Sequence, residues 1–429
     1  MKTILNPTKS EWKKALKRPV QKTKDIEKIV KPIMRKVKRL GDKALVKFAL
    51  EYDHVQISKL LVSVEEVKLA KDKVSPELKK AIILAKSNIE KFHEAQAGND
   101  LEMEVMPGVT CMRKSVPIQR VGLYIPGGTA PLFSTVLMLG IPANIAGCEE
   151  IVICTPPDKE GNIHPAILYT ADLIGIDKIV KAGGAQAIAA MTYGTESVPK
   201  VDKIFGPGNQ YVTAAKQLAV KKGVAIDMPA GPSEVLVYAD SSAVPAFVAA
   251  DLLSQAEHGV DSQVILVASS EKVKDKVMKE LDAQLEVLPR KEIAKRALEN
   301  SVAVIVGNED KAIKLINDYA PEHLIICVEN EEEVVSSIVN AGSVFIGNYT
   351  PESAGDYASG TNHTLPTYGY AKSYSGVSLD SFVKKITYQK ITEEGIKNLG
   401  PTVEVMAGNE LLEAHKNAVT IRLKYLEDK

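Results

Sequence analysis

The chain has 429 residues, with 54 lysines and arginines balanced by 54 aspartates and glutamates. This length allows about two or three domains, each with a sizeable core. A formal net charge of zero gives no electrostatic reason to expect binding to nucleic acid or to an anionic membrane, so we expect chemistry on a small molecule.

The cysteines and the N-terminus indicate the compartment. No two cysteines are spaced as a metal-binding pair, so we expect free, structurally buried thiols in a reducing environment. The N-terminal residues 1–19 are rich in lysine but lack the apolar core of a secretory signal. The long uncharged run at 130–147 is interrupted by prolines and glycine, and we predict a buried helix there rather than a membrane span. These features predict a cytoplasmic protein. The cysteines are Cys111, Cys148, Cys154 and Cys327.

The first quarter of the chain reads as helical scaffold. Residues 23–96 follow a helical pattern, in which Ser63 and Glu66 have the spacing of a capping box. Residues 101–118 then alternate in strand fashion around Pro107-Gly108, which predicts a hairpin.

Between residues 121 and 239, short β-rich runs alternate with helical stretches. This rhythm predicts a parallel sheet with helices on its faces. The predicted strands are 121–125, 150–154, 178–181, 203–205, 224–226 and 235–239, and glycine-rich turns follow three of them at 126–128, 183–186 and 206–209.

The glycine-rich turns are candidates for binding the phosphates of a dinucleotide. Glycine permits close approach to the backbone, and the free N–H groups at a helix start attract phosphate. A full G-x-G-x-x-G pattern is missing, because Tyr211 stands where a third glycine would follow Gly206 and Gly208. Plain strand-to-helix connections remain the alternative.

A second α/β stretch follows, with predicted strands at 263–268, 301–306, 324–328 and 343–346. The apolar segment 243–253 predicts a buried helix that ends in Ser254-Gln-Ala-Glu-His-Gly259. Gln255 and His258 are three residues apart, so on a helix they share one face and could begin a metal site. Two donors cannot complete such a site, and a helix cap or surface polarity is the alternative.

Three later stretches carry further candidates. Glu322 and His323 are neighbours that could act as acid and base if the loop around Pro321 bends, with ordinary loop polarity as the alternative. The polar, glycine-rich segment 348–363 has the profile of a functional loop, with Asp356 and His363 as candidate ligands. In the final predicted helix, 410–426, the spacing makes His415 a core-facing polar residue.

Taken together, these motifs resemble the histidinol dehydrogenase family. Seven stretches in family order carry the resemblance, and they extend from residue 121 almost to the C-terminus. They are 121–128 (VGLYIPGG), 205–211 (FGPGNQY), 230–234 (AGPSE), 254–259 (SQAEHG), 320–323 (APEH), 351–363, and 415–419 (HKNAV).

The resemblance implies a reaction and a set of site residues. The expected reaction is the oxidation of L-histidinol through L-histidinal to L-histidine, the end of histidine biosynthesis, with one zinc per subunit and two NAD molecules reduced. Glu322 and His323 become the catalytic pair. The implied zinc ligands are Gln255, His258, Asp356 and His415; these four, with Ser233, His323, His363 and Glu410, are expected around the substrate, and Tyr124, Gln186 and Asn209 at the dinucleotide.

The resemblance also implies the architecture. We expect an α/β protein with two Rossmann-like lobes similar to those of aldehyde dehydrogenases, plus small N-terminal helical and C-terminal tail domains. The expected partner is a second copy of the chain, in a homodimer whose C-terminal tail completes the neighbouring active site. The predicted division is an arm at 1–24, a first lobe with the metal and catalytic loops at 25–120 and 240–378, a second lobe on the dinucleotide side at 121–239, and a C-terminal domain at 379–429.

Other functions remain as alternatives to be tested. A related zinc- and NAD-dependent enzyme could oxidise another polar alcohol, such as a sulfonated diol. A metal-dependent hydrolase would use the same metal residues without a nucleotide, and a non-catalytic nucleotide-binding protein would need no metal. Aldehyde dehydrogenases use a cysteine nucleophile, which makes Cys148 and Cys154 rivals to the proposed pair, but both lie on strongly apolar segments.

Overall fold

The computed structural model describes residues 1–18, 23–127, 130–229 and 231–429. Gly128 of the first glycine turn and Ala230 of the 230–234 motif lie outside the described residues, as does part of the predicted arm, 19–22. The described residues form the predicted α/β architecture. The strands are β1 Lys2–Leu5, β2 Leu101–Met106, β3 Val109–Pro117, β4 Arg120–Tyr124, β5 Glu150–Thr155, β6 Ile179–Lys181, β7 Lys203–Phe205, β8 Ala225–Ile226, β9 Glu234–Ala239, β10 Gln263–Ala268, β11 Val302–Ile305, β12 His323–Cys327, β13 Ser343–Ile346 and β14 Val383–Ile391.

The helices follow the predicted helical stretches closely. Ser63 and Glu66 form the predicted capping box, with each side chain bonded to the other residue's backbone N–H. The helices are α1 Lys9–Ala15, α2 Thr23–Leu40, α3 Asp42–Phe48, α4 Val64–Lys73, α5 Pro76–Glu94, α6 Phe133–Ala146, α7 Pro165–Leu173, α8 Gly184–Tyr193, α9 Gln210–Val220, α10 Pro245–Ala256, α11 Glu271–Val287, α12 Lys291–Glu299, α13 Glu309–Tyr319, α14 Glu331–Ser336, α15 Glu352–Tyr357, α16 Glu393–Asn409 and α17 Glu413–Glu427.

A five-stranded parallel sheet forms one lobe, within the predicted second lobe at 121–239, in the order β6-β5-β4-β7-β8. Its strands have few polar residues because helices bury both faces, as in other parallel sheets. Helices α2, α3, α8 and α9 share a core on one face, and α4 to α7 share a core on the other. The predicted buried helix at 130–147 is α6, which is buried over most of its length.

A six-stranded parallel sheet forms the other lobe, in the order β1-β11-β10-β9-β12-β13. Each strand pairs only in the parallel sense, and the pairing of β9 with β12 sets His323 beside Val235. This register brings the amino ends of β9 and β12 together, where Glu234 and His323 begin the two strands.

The packing differs from the predicted division in three places. The predicted strand at 235–239 falls in the dinucleotide lobe of that division, yet β9 lies inside the six-stranded sheet between β10 and β12. Helices α2 to α5, predicted with residues 240–378, pack on the five-stranded sheet instead. The predicted arm contributes β1, which pairs with β11. Alternating apolar runs predict strands, but they do not state which sheet a strand joins.

The last part of the chain, residues 383–429, is called the C-terminal unit below. Its strand β14 pairs antiparallel with β3, which forms the predicted hairpin with β2. Helices α16 and α17 pack on each other, and α17 has no buried residue. His415 is exposed rather than core-facing, because α17 packs on α16 through residues such as Val419 and Leu423, and the described residues of this chain leave His415 uncovered.

A search of the described residues finds no helix long and apolar enough to cross a membrane.

Candidate functional site

A cavity of about 600 Å³ lies between the two parallel sheets. On one side it is lined by the glycine turns that follow β4 and β7, at the carboxyl ends of strands in the five-stranded sheet. On the other side it is lined by residues near the amino ends of β9 and β12. The group formed by Gln255, His258, Glu322, His323 and Asp356 lines this second side and is called the cavity floor below.

Helix α10 positions the first part of the floor. Gln255 lies in its last turn and is 1% exposed, and His258 follows just beyond the helix end with its ring open to the cavity. The Gln255 amide donates from Nε2 to the carbonyl oxygen of Glu234 at 3.3 Å, while its Oε1 makes no hydrogen bond. Burial lowers the pKa of His258 despite the opposing charge of Asp356, which favours the neutral imidazole that metals bind.

The turn before β12 positions the second part. Ala320 ends α13 in the left-handed region at φ 53°, and the chain then bends through Pro321. The predicted condition for Glu322 and His323 to share a site is met, since both side chains line the cavity and both are buried. Glu322 Oε2 accepts a hydrogen bond from the Glu234 N–H at 2.8 Å, and His323 Nδ1 lies 3.1 Å from the Glu234 carbonyl oxygen.

The cavity floor has strongly shifted ionisation. Burial raises the pKa of Glu322 to about 8, more than the nearby His323 lowers it. Burial disfavours the charged form of His323, but the carboxylates of Glu322, Glu352 and Asp356 outweigh it and raise its pKa to about 10. For Asp356 burial opposes ionisation, yet His323, His363 and His258 together lower its pKa. Perturbed carboxyl and imidazole groups in one cleft are typical of a functional site.

The segment 348–363 contains a short helix that the sequence did not predict. Helix α15 places Asp356 with its Oδ1 3.4 Å from His323 Nε2. The same helix begins with Glu352, which is 1% exposed and whose pKa burial raises to about 8. Possible ligand atoms of His258, Glu352 and Asp356 all lie within 4.8 Å of one another.

His363 connects α15 to α6 through its two ring nitrogens. Its Nδ1 lies 2.8 Å from the Asp356 carbonyl oxygen, which can only accept, so Nδ1 carries the proton. Its Nε2 then accepts from the Thr135 hydroxyl at 3.2 Å. His363 lines the cavity, as predicted, but both its nitrogens already have partners in the chain.

Two of the three residues predicted at the dinucleotide line the cavity. Tyr124 accepts a hydrogen bond at its hydroxyl from the Gly184 N–H at 3.1 Å, and Asn209 caps α9 by accepting from two backbone N–H groups. Gln186 is buried in α8 and is not among the lining residues. Ser233, predicted at the substrate, lines the cavity near the start of β9.

A buried ion pair fixes the backbone of the turn at 206–209. Lys216 pairs with Asp227 and also donates to the Gly206 carbonyl oxygen at 2.9 Å, while Asp227 Oδ2 accepts from the Gly206 N–H at 2.8 Å. Gly206 has φ 124°, and a Cβ there would meet the Tyr124 carbonyl oxygen at 2.1 Å. Only glycine fits this position.

Two predicted site residues lie away from the cavity. Glu410 and His415 are exposed in the C-terminal unit and do not line the cavity. The structure of one chain therefore brings together three of the four predicted metal ligands and leaves His415 apart.

Sequence reasoning missed several residues that the structure places at the site. Glu352 was read only as part of a polar loop, although its position four residues before Asp356 is the spacing of one helix face. No sequence signal identified Thr135, the pair Lys216 and Asp227, or the role of the Glu234 backbone, since each depends on contacts between distant parts of the chain.

The cysteines are poor nucleophiles in this structure. All four are free thiols. Burial raises the pKa of Cys148, Cys154 and Cys327 to about 12, so few of these thiols ionise near neutral pH. None of the four lines the cavity.

Comparison with known proteins gives one consistent result. The family model of histidinol dehydrogenase matches residues 16–423. A histidinol dehydrogenase from Bacteroides thetaiotaomicron is 62% identical over 427 residues, covering 100% of both chains, and one from Campylobacter jejuni is 52% identical, covering 98% of both. The crystal structure of histidinol dehydrogenase from Elizabethkingia anophelis is similar with a TM-score of 0.97 and 58% identity, covering 100% of this chain and 99% of that one.

Proposed function

The chain belongs to the histidinol dehydrogenase family of oxidoreductases, and on this premise we propose that it oxidises L-histidinol through L-histidinal to L-histidine with zinc and NAD. The observation that carries the proposal is the single cavity that joins the glycine turns of one sheet to the cavity floor on the other. This arrangement would set a dinucleotide against a metal-held substrate.

The residues of the floor fit a divalent metal. Gln255 Oε1 and Asp356 Oδ1 are buried and make no hydrogen bond, although buried polar atoms normally have partners. With the His258 ring they offer one nitrogen and two oxygens, a donor set that zinc accepts. When bound, zinc would hold the imidazole and amine nitrogens of the substrate and so orient its alcohol carbon.

The other side of the cavity fits a dinucleotide. The backbone of the 206–209 turn lines the cavity, and α9 begins there with the positive end of its dipole, which favours phosphate, while the Asn209 side chain already accepts from the N–H groups of Tyr211 and Val212. Tyr124 lines the same side. When bound, NAD would accept the hydride of each oxidation step.

His323 is suited to remove the alcohol proton. Its Nδ1 lies 2.9 Å from Gln255 Nε2 and 3.1 Å from the Glu234 carbonyl oxygen, which fixes the ring. Its Nε2 is buried without a hydrogen bond and lies 3.4 Å from Asp356 Oδ1. A zinc ion bound by Asp356 and His258 would offset the negative charge of the carboxylates that raise the pKa of His323. That would move the imidazole toward the range in which it accepts a proton near neutral pH.

Glu322 is suited to activate the water that hydrates the aldehyde. Burial raises the pKa of Glu322 to about 8, so its ionised form, which a cation bound at the floor would favour, is a stronger base than an ordinary carboxylate. One of its oxygens is held by the Glu234 N–H, which leaves the other to accept a proton from water. The resulting gem-diol gives up the second hydride without a covalent cysteine intermediate.

We further propose a homodimer in which the C-terminal unit completes the partner's site. Helix α17 buries no residue of its own, and the unit exposes several large apolar side chains, among them Val405 at 65%, Leu411 at 85% and Tyr425 at 68%. Exposed apolar surface of this extent usually marks an interface. His415 would then supply the remaining metal ligand, and Glu410 would face the substrate amine. The free thiols support a cytoplasmic location.

The direct test is NADH absorbance on adding L-histidinol and NAD to zinc-loaded protein. We expect two NADH per L-histidinol, and loss of the reaction after chelation that zinc restores. No NADH with L-histidinol, but NADH with a sulfonated diol, would support the alternative alcohol; hydrolysis without NADH would support a metal hydrolase.

Metal retention tests the ligand assignment. His258→Ala should lose more zinc than Gln255→Ala, because a neutral amide oxygen is the weaker ligand. His54→Asn, at an exposed histidine, is the matched control and should keep about one zinc per chain. Equal zinc loss in the two ligand variants would contradict the ranking.

A further inference from the structure

The backbone of one residue, Glu234, contacts three side chains of the cavity floor. Glu234 begins β9, and its N–H donates to Glu322 Oε2 at 2.8 Å. Its carbonyl oxygen accepts from Gln255 Nε2 at 3.3 Å and lies 3.1 Å from His323 Nδ1. A displacement of the Glu234 backbone, with the two peptide groups on either side of its Cα, would therefore disturb three proposed site residues together.

The Glu234 side chain is held in turn by an arginine from the N-terminal segment. Its Oε1 accepts from Arg18 Nε at 2.5 Å, and its Oε2 accepts from Arg18 Nη2 at 2.8 Å. Oε1 also accepts from the Tyr368 N–H at 2.9 Å. The carboxylate is 2% exposed, so this two-point pairing is what keeps a buried charge compensated and fixed in direction.

The same arginine holds the turn before the catalytic pair. Arg18 Nη2 also lies 2.9 Å from the carbonyl oxygen of Tyr319 and 3.3 Å from that of Ala320. The guanidinium stacks over the Tyr319 ring at 3.9 Å. In the chain, only Pro321 separates these two residues from Glu322 and His323. Arg18 therefore contacts both Glu234, whose backbone contacts Glu322 and His323, and the turn that precedes them.

Arg18 itself does not reach the cavity. It lines a separate hollow with Trp12, Lys17 and Asp318, on the far side of Tyr368, which borders both spaces. The segment that carries it is anchored, because Trp12 is 5% exposed and lies 3.3 Å from Asp318 through its indole N–H. Arg18 can therefore act on the reaction only through Glu234 and the turn.

We propose that Arg18 is a positioning residue for this site. Through its contacts with the Glu234 carboxylate and with the 319–320 turn, it keeps the Glu234 backbone at the distances from Gln255, Glu322 and His323 that the site requires. The proposal rests on the proposed function for its catalytic consequence, but the geometric consequence is independent of it. A planar, forked guanidinium makes all of these contacts at once, which an ammonium group cannot do.

The geometric consequence is tested by nuclear magnetic resonance of the histidine rings in metal-free protein. The chain has seven histidines, and the His323 signals are identified by their loss in His323→Gln. We expect Arg18→Met to shift the His323 ring nitrogen signals, and Lys17→Met, the adjacent exposed control, to leave them in place. Unshifted His323 signals in Arg18→Met would overturn the proposal, whatever the activity of the wild-type protein.

The catalytic consequence is tested by kinetics per folded, zinc-loaded site. Arg18→Met should lower kcat about 10- to 100-fold, with a smaller change in KM for L-histidinol, because a small misplacement of reacting groups slows chemistry more than binding. Arg18→Lys should fall between Arg18→Met and the wild type. Lys17→Met should match the wild type.

A double variant separates positioning from stability. Arg18→Met leaves an unpaired buried carboxylate, and Glu234→Gln added to it removes that charge. We expect the double variant to recover much of the lost melting temperature while kcat stays low. Recovery of kcat together with Tm would show a merely structural role and overturn the proposal. If wild-type protein forms no NADH, the proposed function fails, and the ring signals still decide the role of Arg18.

Discussion

The cavity floor and the C-terminal unit both carry proposed metal ligands, but only the floor is built within one chain. In the floor, Gln255 and Glu322 are buried and bonded to the Glu234 backbone, and their neighbours have shifted pKa values. In the C-terminal unit, His415 is exposed on a helix that buries none of its residues. The difference indicates that the floor is preorganised, whereas the proposed ligand His415 would acquire its place only if another surface docked on the exposed side of α17.

The largest expected effect comes from placing a substitution in the cavity floor and one in the C-terminal unit on different chains of a dimer. His258→Ala and His415→Ala proteins should each be nearly inactive, yet mixing them should restore about a quarter of wild-type activity. About half of randomly formed dimers are mixed, and each of those has one site with both defects and one with neither. Activity of the co-refolded mixture gives the measurement, and mixed dimers isolated by differing tags should show about half of wild-type activity, since one of their two sites is intact.

A matched control uses two floor ligands. His258→Ala mixed with Gln255→Ala should recover nothing, because each mixed dimer then has a defect in both sites. Absence of recovery in the first mixture, despite confirmed mixed dimers, would place all four ligands on one chain.

Within the cavity floor, substitution of Glu322 should slow the two oxidation steps to different extents. Glu322→Gln should slow oxidation of supplied L-histidinal by about 100-fold or more, and the first hydride transfer from L-histidinol much less, because only the second step needs activated water. Single-turnover NADH formation with each substrate measures both, and Glu329→Gln, at an exposed carboxylate, serves as control. Equal slowing of both steps would remove the proposed role of Glu322.

A smaller effect should follow from charging the exposed face of α17. Tyr425→Lys is expected to weaken the dimer about 10-fold or more, as loss of a large aromatic side chain from an interface commonly does. Sedimentation at a series of concentrations measures the association. Val287→Lys changes an even more exposed apolar residue, 81% exposed on α11, and should leave association unchanged. Equal weakening by both variants would show a general surface effect instead.

The smallest effect is on stability. Asp251 lies on α10 beneath the floor, and burial raises its pKa to about 7. Its folded pKa exceeds the unfolded value, so the folded form binds a proton more tightly, and stability from this group is lost as pH rises from about 4 through about 7. Asp251→Asn removes this ionisation and should raise Tm by about 2–4 °C at pH 8, with little gain at pH 4.5.

The exposed C-terminal unit supplies the control for this pH dependence. Glu413→Gln, on the first turn of α17, should change Tm little at either pH. A gain in Asp251→Asn that is as large at pH 4.5 as at pH 8 would show that the carboxylate is not the cause.

The sequence by itself determined most local structure. The capping box at Ser63 and Glu66, the hairpin around Pro107-Gly108 and the strand-to-helix glycine turns follow from short-range rules, and the structure contains each of them within the described residues. The family and the reaction class were also predictable from the sequence, because the seven motifs resemble those of histidinol dehydrogenases and follow the same order along the chain. Periodicity and motif spacing are properties of neighbouring residues, which one sequence displays directly.

Only the tertiary structure decided which distant residues meet. Strand β9 reads like its predecessors, yet its pairing with β10 and β12 places the Glu234 peptide among Gln255, Glu322 and His323. Arg18 reaches Glu234 across 216 positions of sequence. His415 looked core-facing from its spacing, but α17 packs on α16 with none of its residues fully buried, and His415 is left exposed. Sheet order and helix docking are set by the packing of whole surfaces, so no local pattern encodes which charges become buried together.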